Sequence, residues 1–203
     1  HGTHVAGIIS ARGNNAEGVS GTAWHIKIMV LKVKADDSEF FELFYVIKAL
    51  DYARQNGAKI VNCSFGGETN STDEQNAFQD LEEAGNLAVC AAGNKGGDLD
   101  AAGNELYPAE YDLDNIFTVT ATTQTDSLAY FSNYGLTAVD VAAPGVSIKT
   151  TTPVETVTEA SVIAGGSTFT AIGMLYAGTT SLEGVSATLV DCGKGYLDEF
   201  PEA

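Results

Sequence analysis

Two histidines three residues apart open the chain, His1 and His4 in HGTHVAGIIS. An imidazole titrates near neutrality, so each could move a proton or hold a metal. At i, i+3 on a helix both rings share a face, but no further cluster of metal ligands follows, and Gly2 and Thr3 between them favour close packing. A lone histidine opening a helix of small residues is otherwise a structural feature. Gly93-Asn94, after the apolar run LAVCAA, reads by itself as a turn. Cys63, Cys90 and Cys192 form no C-x-x-C pair and no zinc spacing, and the odd count leaves room for a partner beyond the chain.

Composition bounds what these groups can serve. The 203 residues are 44% hydrophobic with a mean hydropathy of +0.02, which is globular. No apolar run approaches the roughly 18 residues of a membrane span. The 27 acidic residues against 10 basic ones leave a net charge of −17, which argues against nucleic acid and anionic membranes as partners. A solvated acidic surface fits a salty or extracellular medium. The chain starts at His1 with no initiator Met and no signal-peptide pattern before it, so the expectation is a piece of a longer protein.

The elements that must position these groups alternate. His4 to Ala11 is small and apolar enough for a buried helix, and Ile26 to Val33 (IKIMVLKV) is a β-branched run of strand length. Phe40, Leu43, Phe44, Ile47 and Leu50 recur at spacings of three and four, which predicts the core face of an amphipathic helix. Lys59 to Ser64 reads as a strand ended by Gly66 and Gly67, and Asp73 to Ala84 as a helix stopped by Gly85. Leu87 to Ala92 reads as a strand buried on both faces; Ile116 to Ala121 and Val139 to Ala142 follow as strands.

Such alternation predicts an α/β fold, a mostly parallel sheet with helices on both faces. Ligands of these sheets bind beyond the carboxyl ends of the strands. Those ends read Ser64-Phe65-Gly66-Gly67, Ala92-Gly93-Asn94 and Ala143-Pro144-Gly145, small or polar enough for another backbone to approach. After Pro153 Thr, Ser, Gly and Val dominate and helical periodicity fades. Residues 1–152 are therefore read as one module and 153–203 as a β-rich segment.

HGTHVAGIIS, VNCSFGG, LAVCAAGN and VAAPGVSI, in this order, resemble the subtilisin-like serine proteases, the subtilases. YPAEYDLDNIFTVTATTQTDSLAYFSNYG, leading into the last of them, resembles the family too, and the likeness covers residues 1–152. It implies a secreted serine endopeptidase acting on peptides or proteins through an Asp-His-Ser triad, with no cofactor required. The first histidine of HGTH is the family's general base, here His1; His4 on the next turn would be buried support, and His25 a surface or loop residue. The asparagine of AAGN, here Asn94, gives its amide to the oxyanion. Ala91, Ala92 and Gly93 would line the pocket for the residue before the scissile bond, with room for an apolar or aromatic side chain. Ser64, Phe65 and Gly66 would pair with the substrate backbone as an added strand. Tyr107-Pro108 matches a cis position of the family. Residues 11–21 match a loop that binds structural calcium in some relatives, one residue longer here.

Two members of the triad lie outside this pattern. In the family order Asp, His, Ser the aspartate would precede His1. The serine should stand in G-T-S-x-A, with a proline soon after, at the start of a helix. The nearest stretch, Gly166 to Ala171 (GSTFTA), has Thr168 in that slot, no proline and poor helix formers after it. Neither Ser167 nor Thr168 is therefore expected to be the nucleophile, and the chain alone is expected to be inactive. ATLVDCGKG (Ala187 to Gly195) resembles the start of a protease-associated domain inserted before the serine in some secreted subtilases, where Cys192 would pair with a cysteine beyond Ala203. The alternative is a pseudoenzyme that binds peptides without cleaving them, with GSTFTA as a degenerate serine box. An intracellular peptide-binding domain is disfavoured by the missing initiator and the family match.

Overall fold

The computed structural model describes residues 1–34, 41–152, 158–164 and 167–173. Clustering of contacts divides the chain into two units, His1–Thr151 and Thr152–Ala203.

In the first unit, helix α1 (Gly2–Ser10) begins right after His1. Its end carbonyls need partners, and the backbone N–H groups of Thr22 and Ala23 donate to Ile8 and Ile9 at 3.0 and 2.9 Å. The Thr150 and Thr151 hydroxyls donate to the His4 and Thr3 carbonyls at 2.5 and 2.7 Å, so the segment after the last strand of the sheet holds this helix.

Helix α2 (Leu43–Gln55) buries Val46, Leu50 and Ala53. This corrects the expected face: Phe44 is 61% exposed, and Phe40 lies outside the described residues. The buried stripe runs i, i+4, i+7 from Val46, which leaves Phe44 off it; Leu43 is in line with the stripe but exposed at the first turn. Phe44 packs instead on Tyr45, with the Lys48 ammonium 5.6 Å from its ring centre. Helix α3 (Thr72–Glu83) starts at Ser71, whose hydroxyl accepts the Glu74 N–H at 3.3 Å, and carries Asp73 and Glu74 in the first turn, where the helix dipole favours acids.

Strands β1 (Ile60–Cys63), β2 (Leu87–Ala91), β3 (Ile116–Thr122) and β4 (Val141–Pro144) form one parallel sheet in sequence order. Helices α2 and α3 pack on one face through Val46, Leu50, Phe78 and Leu81, against Cys63, Ala88, Cys90 and Tyr111. On the other face Ile60, Leu87, Phe117 and Val141 stay exposed, and no helix among the described residues buries them. β2 is thus buried on the side of Ala88 and Cys90 and only half-buried at Val89, rather than covered on both sides as the apolar run suggested.

The expected strand at Ile26–Val33 does not form: residues 26–33 join no strand pairing among the described residues, and Ile26, Ile28 and Val30 are exposed. β-branched composition supplies propensity, but a strand needs a neighbour to hydrogen-bond, and the described residues provide none there. In the second unit, β5 (Thr158–Ala164) and β6 (Ser167–Gly173) form an antiparallel pair with Ala164 opposite Ser167. The ATLVDCGKG stretch and Cys192 lie outside the described residues.

Candidate active site

Strands β1 and β2 run side by side, with Cys63 opposite Cys90, so the segments that follow them emerge at the same edge of the sheet. Ser64 to Gly67 leaves β1; Ala92 to Gly97 leaves β2. Leu106 joins the two. A Cβ on Gly66 would lie 3.0 Å from Leu106 Cγ, and one on Gly93 would lie 2.7 Å from Leu106 Cδ2. Gly93 also has φ +97°, a conformation that side-chain-bearing residues rarely adopt.

The far end of the 64–67 segment is held by a two-way bridge: Gly67 N–H donates to the Tyr107 carbonyl and Tyr107 N–H to the Gly67 carbonyl, each at 2.8 Å. The Tyr107-Pro108 bond is cis, as the resemblance implies. Leu106 N–H donates to Glu110 at 2.5 Å, and burial raises that carboxyl above its ordinary value. Asn62 donates to the Ser64 hydroxyl at 2.8 Å, and Phe41 stacks on Phe65 with ring centres 5.4 Å apart. An exposed Lys95–Glu68 ion pair ties the outer ends of the two segments together.

Asn133 organises the other segment and was not singled out by the sequence. Its amide nitrogen donates to the Ala92 carbonyl at 2.8 Å, and its amide oxygen accepts from Lys95 and Gly97 N–H at 2.9 and 3.1 Å. Its own N–H donates to the Gly93 carbonyl at 3.0 Å. Asn94 stands inside this clamp with an exposed side chain that has no hydrogen-bond partner among the described residues. Of the expected pocket lining, Ala92 is buried, while Ala91 and Gly93 are half-buried.

His1 is exposed at the start of α1, and its imidazole has no hydrogen bond among the described residues. His4 is exposed too, against the expectation of buried support, although Gly7, one turn on along the same face, is buried. His25 is exposed in a loop as expected. The structure thus brings together Ser64 to Gly67, Gly93, Leu106 and Asn133, and it ties His1 to them by no hydrogen bond. Both described cysteines are free and buried. The neighbouring Cys90 thiol and burial push the Cys63 thiol well above its ordinary value, so it stays protonated and is a poor nucleophile.

Gly13 to Ser20 line an open concavity of about 250 Å³ in the loop after α1. Its side-chain oxygens come from Asn14, Asn15, Glu17 and Ser20, and the Asn15 oxygen already accepts the Glu17 N–H at 3.2 Å. Calcium takes about 6–8 oxygens. With one carboxylate and one committed amide among these side chains, calcium held here would take most of its oxygens from backbone carbonyls. Among the described residues no three His, Cys, Asp or Glu side chains gather as metal ligands, and no helix is long and apolar enough to cross a membrane.

A profile described as the subtilase family matches residues 1–174. The chain is 40% identical over 151 residues to a thermophilic serine proteinase of Bacillus sp. (strain AK1), covering 74% of this chain and 35% of that protein. It is 40% identical over 156 residues to thermitase of Thermoactinomyces vulgaris, covering 77% of this chain and 53% of thermitase. Among solved structures, a protease of Pseudoalteromonas arctica superposes with a TM-score of 0.63 at 31% identity over 71% of this chain and 43% of that one. A cold-adapted subtilisin-like serine proteinase gives 0.62 at 33% identity over 74% and 50%. The chain therefore spans about a third to a half of the relatives it matches.

Proposed function

Since the chain belongs to the subtilase family, we propose that it forms the central part of a secreted serine endopeptidase, with His1 as general base and Asn94 as oxyanion donor. Two supporting observations are the family match and the meeting of Ser64 to Gly67 with Gly93 around Leu106 at one edge of the parallel sheet. The second of these carries the site.

In this reading His1 takes the proton of the attacking serine hydroxyl and later gives it to the leaving amine. The oriented aspartate and the serine belong to other parts of the enzyme, in keeping with the share of its relatives that the chain spans. Residues 167–173 form strand β6, whereas a subtilase serine opens a helix whose free N–H groups and dipole favour the developing anion; that difference supports excluding Ser167 and Thr168. An extended substrate lies along Ser64, Phe65 and Gly66 as an added strand, and Ala91, Ala92 and Gly93 line the pocket for the side chain before the scissile bond. The unpartnered Asn94 amide donates to the carbonyl oxygen as it becomes an oxyanion. No cofactor is needed, because proton transfer, nucleophile and oxyanion donor complete an acyl transfer. Residues 1–152 form the catalytic part in this proposal, and 153–203 a β-rich segment leading into a protease-associated insert, although the family profile continues to residue 174.

The test is Asn94→Ala in the full-length protein. Loss of an amide that meets only the oxyanion falls on kcat and leaves KM nearly unchanged. The expected drop is about 10²–10³-fold, the magnitude known for such a donor in subtilisin itself. An unchanged kcat would remove Asn94 from the mechanism. Peptide binding without turnover in the unmutated full-length protein would favour a binding-only homologue.

A further inference from the structure

We propose that Asn133 is a positioning residue for this reaction, holding residues 92–97 in the one conformation that presents Asn94. The inference rests on the reading of Asn94 as oxyanion donor.

Asn94 has no hydrogen bond from its side chain among the described residues, so its direction is set by the backbone on either side. Backbone bonds hold parts of it, from the Ala92 and Gly96 N–H groups to the Val119 and Phe131 carbonyls and from the Tyr134 N–H to the Gly97 carbonyl. One side chain spans Asn94 on both sides. Asn133 bonds Ala92 before Asn94 and Lys95 and Gly97 after it, at 2.8, 2.9 and 3.1 Å, and its own N–H bonds the Gly93 carbonyl at 3.0 Å. The amide divides the work between two atoms, its nitrogen donating to one carbonyl while its oxygen accepts two N–H groups. Asn133 is itself anchored. It is 3% exposed, and its carbonyl accepts the Thr120 and Ser132 hydroxyls at 2.5 and 3.1 Å, which ties it to β3. The clamp reaches from the body of the sheet to the loop with no mobile side chain between. Gly93 completes it, because a Cβ there would meet the Asn133 amide nitrogen at 2.7 Å. Buried polar groups bonded at both ends in this way fix one geometry, and an oxyanion donor works only when its geometry is fixed before the reaction.

Asn133→Asp keeps the size and the accepting oxygen but sets a carboxylate oxygen against the Ala92 carbonyl. In the full-length protein, with a chromogenic peptide as substrate, kcat should fall about 10- to 100-fold while KM changes by less than about twofold. In an Asn94→Ala background the same substitution should change kcat by less than about twofold, because no amide remains to be misplaced. Equal falls in both backgrounds would overturn the inference, since a general loss of structure does not depend on Asn94. A change confined to KM would overturn it too. If Asn133→Asp does not fold, Asn133→Ser is read in the same two backgrounds with the same criteria. If Asn94→Ala alone leaves kcat intact, the oxyanion reading fails and the inference falls with it. If Asn94→Ala lowers kcat and the Asn133 variants do not, the inference alone fails.

Discussion

Gly93 and Gly103 have nearly the same backbone conformation, φ +97° and +94°, in opposite surroundings. An added Cβ at Gly103 meets nothing within 4 Å; at Gly93 it meets Asn133 Nδ2 and Leu106 Cδ2, both at 2.7 Å. Alanine at either position costs about 1–3 kcal/mol for the left-handed backbone. At Gly93 the crowding comes on top. Leu106 can turn aside, but Asn133 cannot move without loosening its 2.8 Å bond to the Ala92 carbonyl. Overpacking of this kind costs about 1–3 kcal/mol more. Gly93→Ala should therefore lose about 1–3 kcal/mol more stability than Gly103→Ala. Equilibrium urea unfolding of the full-length protein and both variants reads this as a difference in midpoint at equal slope. Equal losses would refute the claim that residues 92–97 are pinned against Asn133.

Phe78 is fully buried between the helices and the sheet, with its ring 6.0 Å from Tyr111, so Phe78→Ala should cost about 3–5 kcal/mol by the same unfolding assay. Glu74 is buried and accepts the Tyr111 hydroxyl at 2.8 Å, and burial raises its carboxyl above the ordinary value while the bond from Tyr111 opposes the shift. The folded state therefore binds this proton more tightly than the unfolded state. Stability from this group is full below the ordinary carboxylate value and is lost as pH rises through the raised one. Glu74→Gln keeps an acceptor for Tyr111 without the charge, so its Tm relative to the parent should climb between about pH 4 and pH 7. A constant difference across that range would contradict the assignment.

What the sequence made legible follows from which signals are local. The runs at β1, β2 and β4 are short and mostly apolar and are followed by Gly, Asn or Pro, so both these strands and the loops that leave them could be read directly, and β3 shows the β-branched alternation of a strand. Gly85 ends α3 as read, by a stop that needs no tertiary context, whereas the Ser71 cap that starts it emerged only in the structure. The misses depend on neighbours. Ile26 to Val33 has strand propensity but no partner strand among the described residues, and Phe44 is exposed because the buried stripe runs through Val46, Leu50 and Ala53. Leu106 and Asn133 carry no periodicity or motif of their own. Their roles appear only when chain segments 13 and 40 residues away, at Gly93, fold back onto them. The hint available was Gly93 itself, a glycine where a turn alone would tolerate other residues.

A peptidyl chloromethyl ketone tests the role of His1 most directly. Bound as a substrate in a serine peptidase site, it alkylates the general-base imidazole, and peptide mapping by mass spectrometry then tells His1, His4 and His25 apart. Applied to the full-length protein, it should place the adduct on His1 with loss of activity, and Asn94→Ala should leave His1 as the labelled residue. An adduct on His4 or His25 with His1 unmodified and activity lost would contradict the assignment of the base.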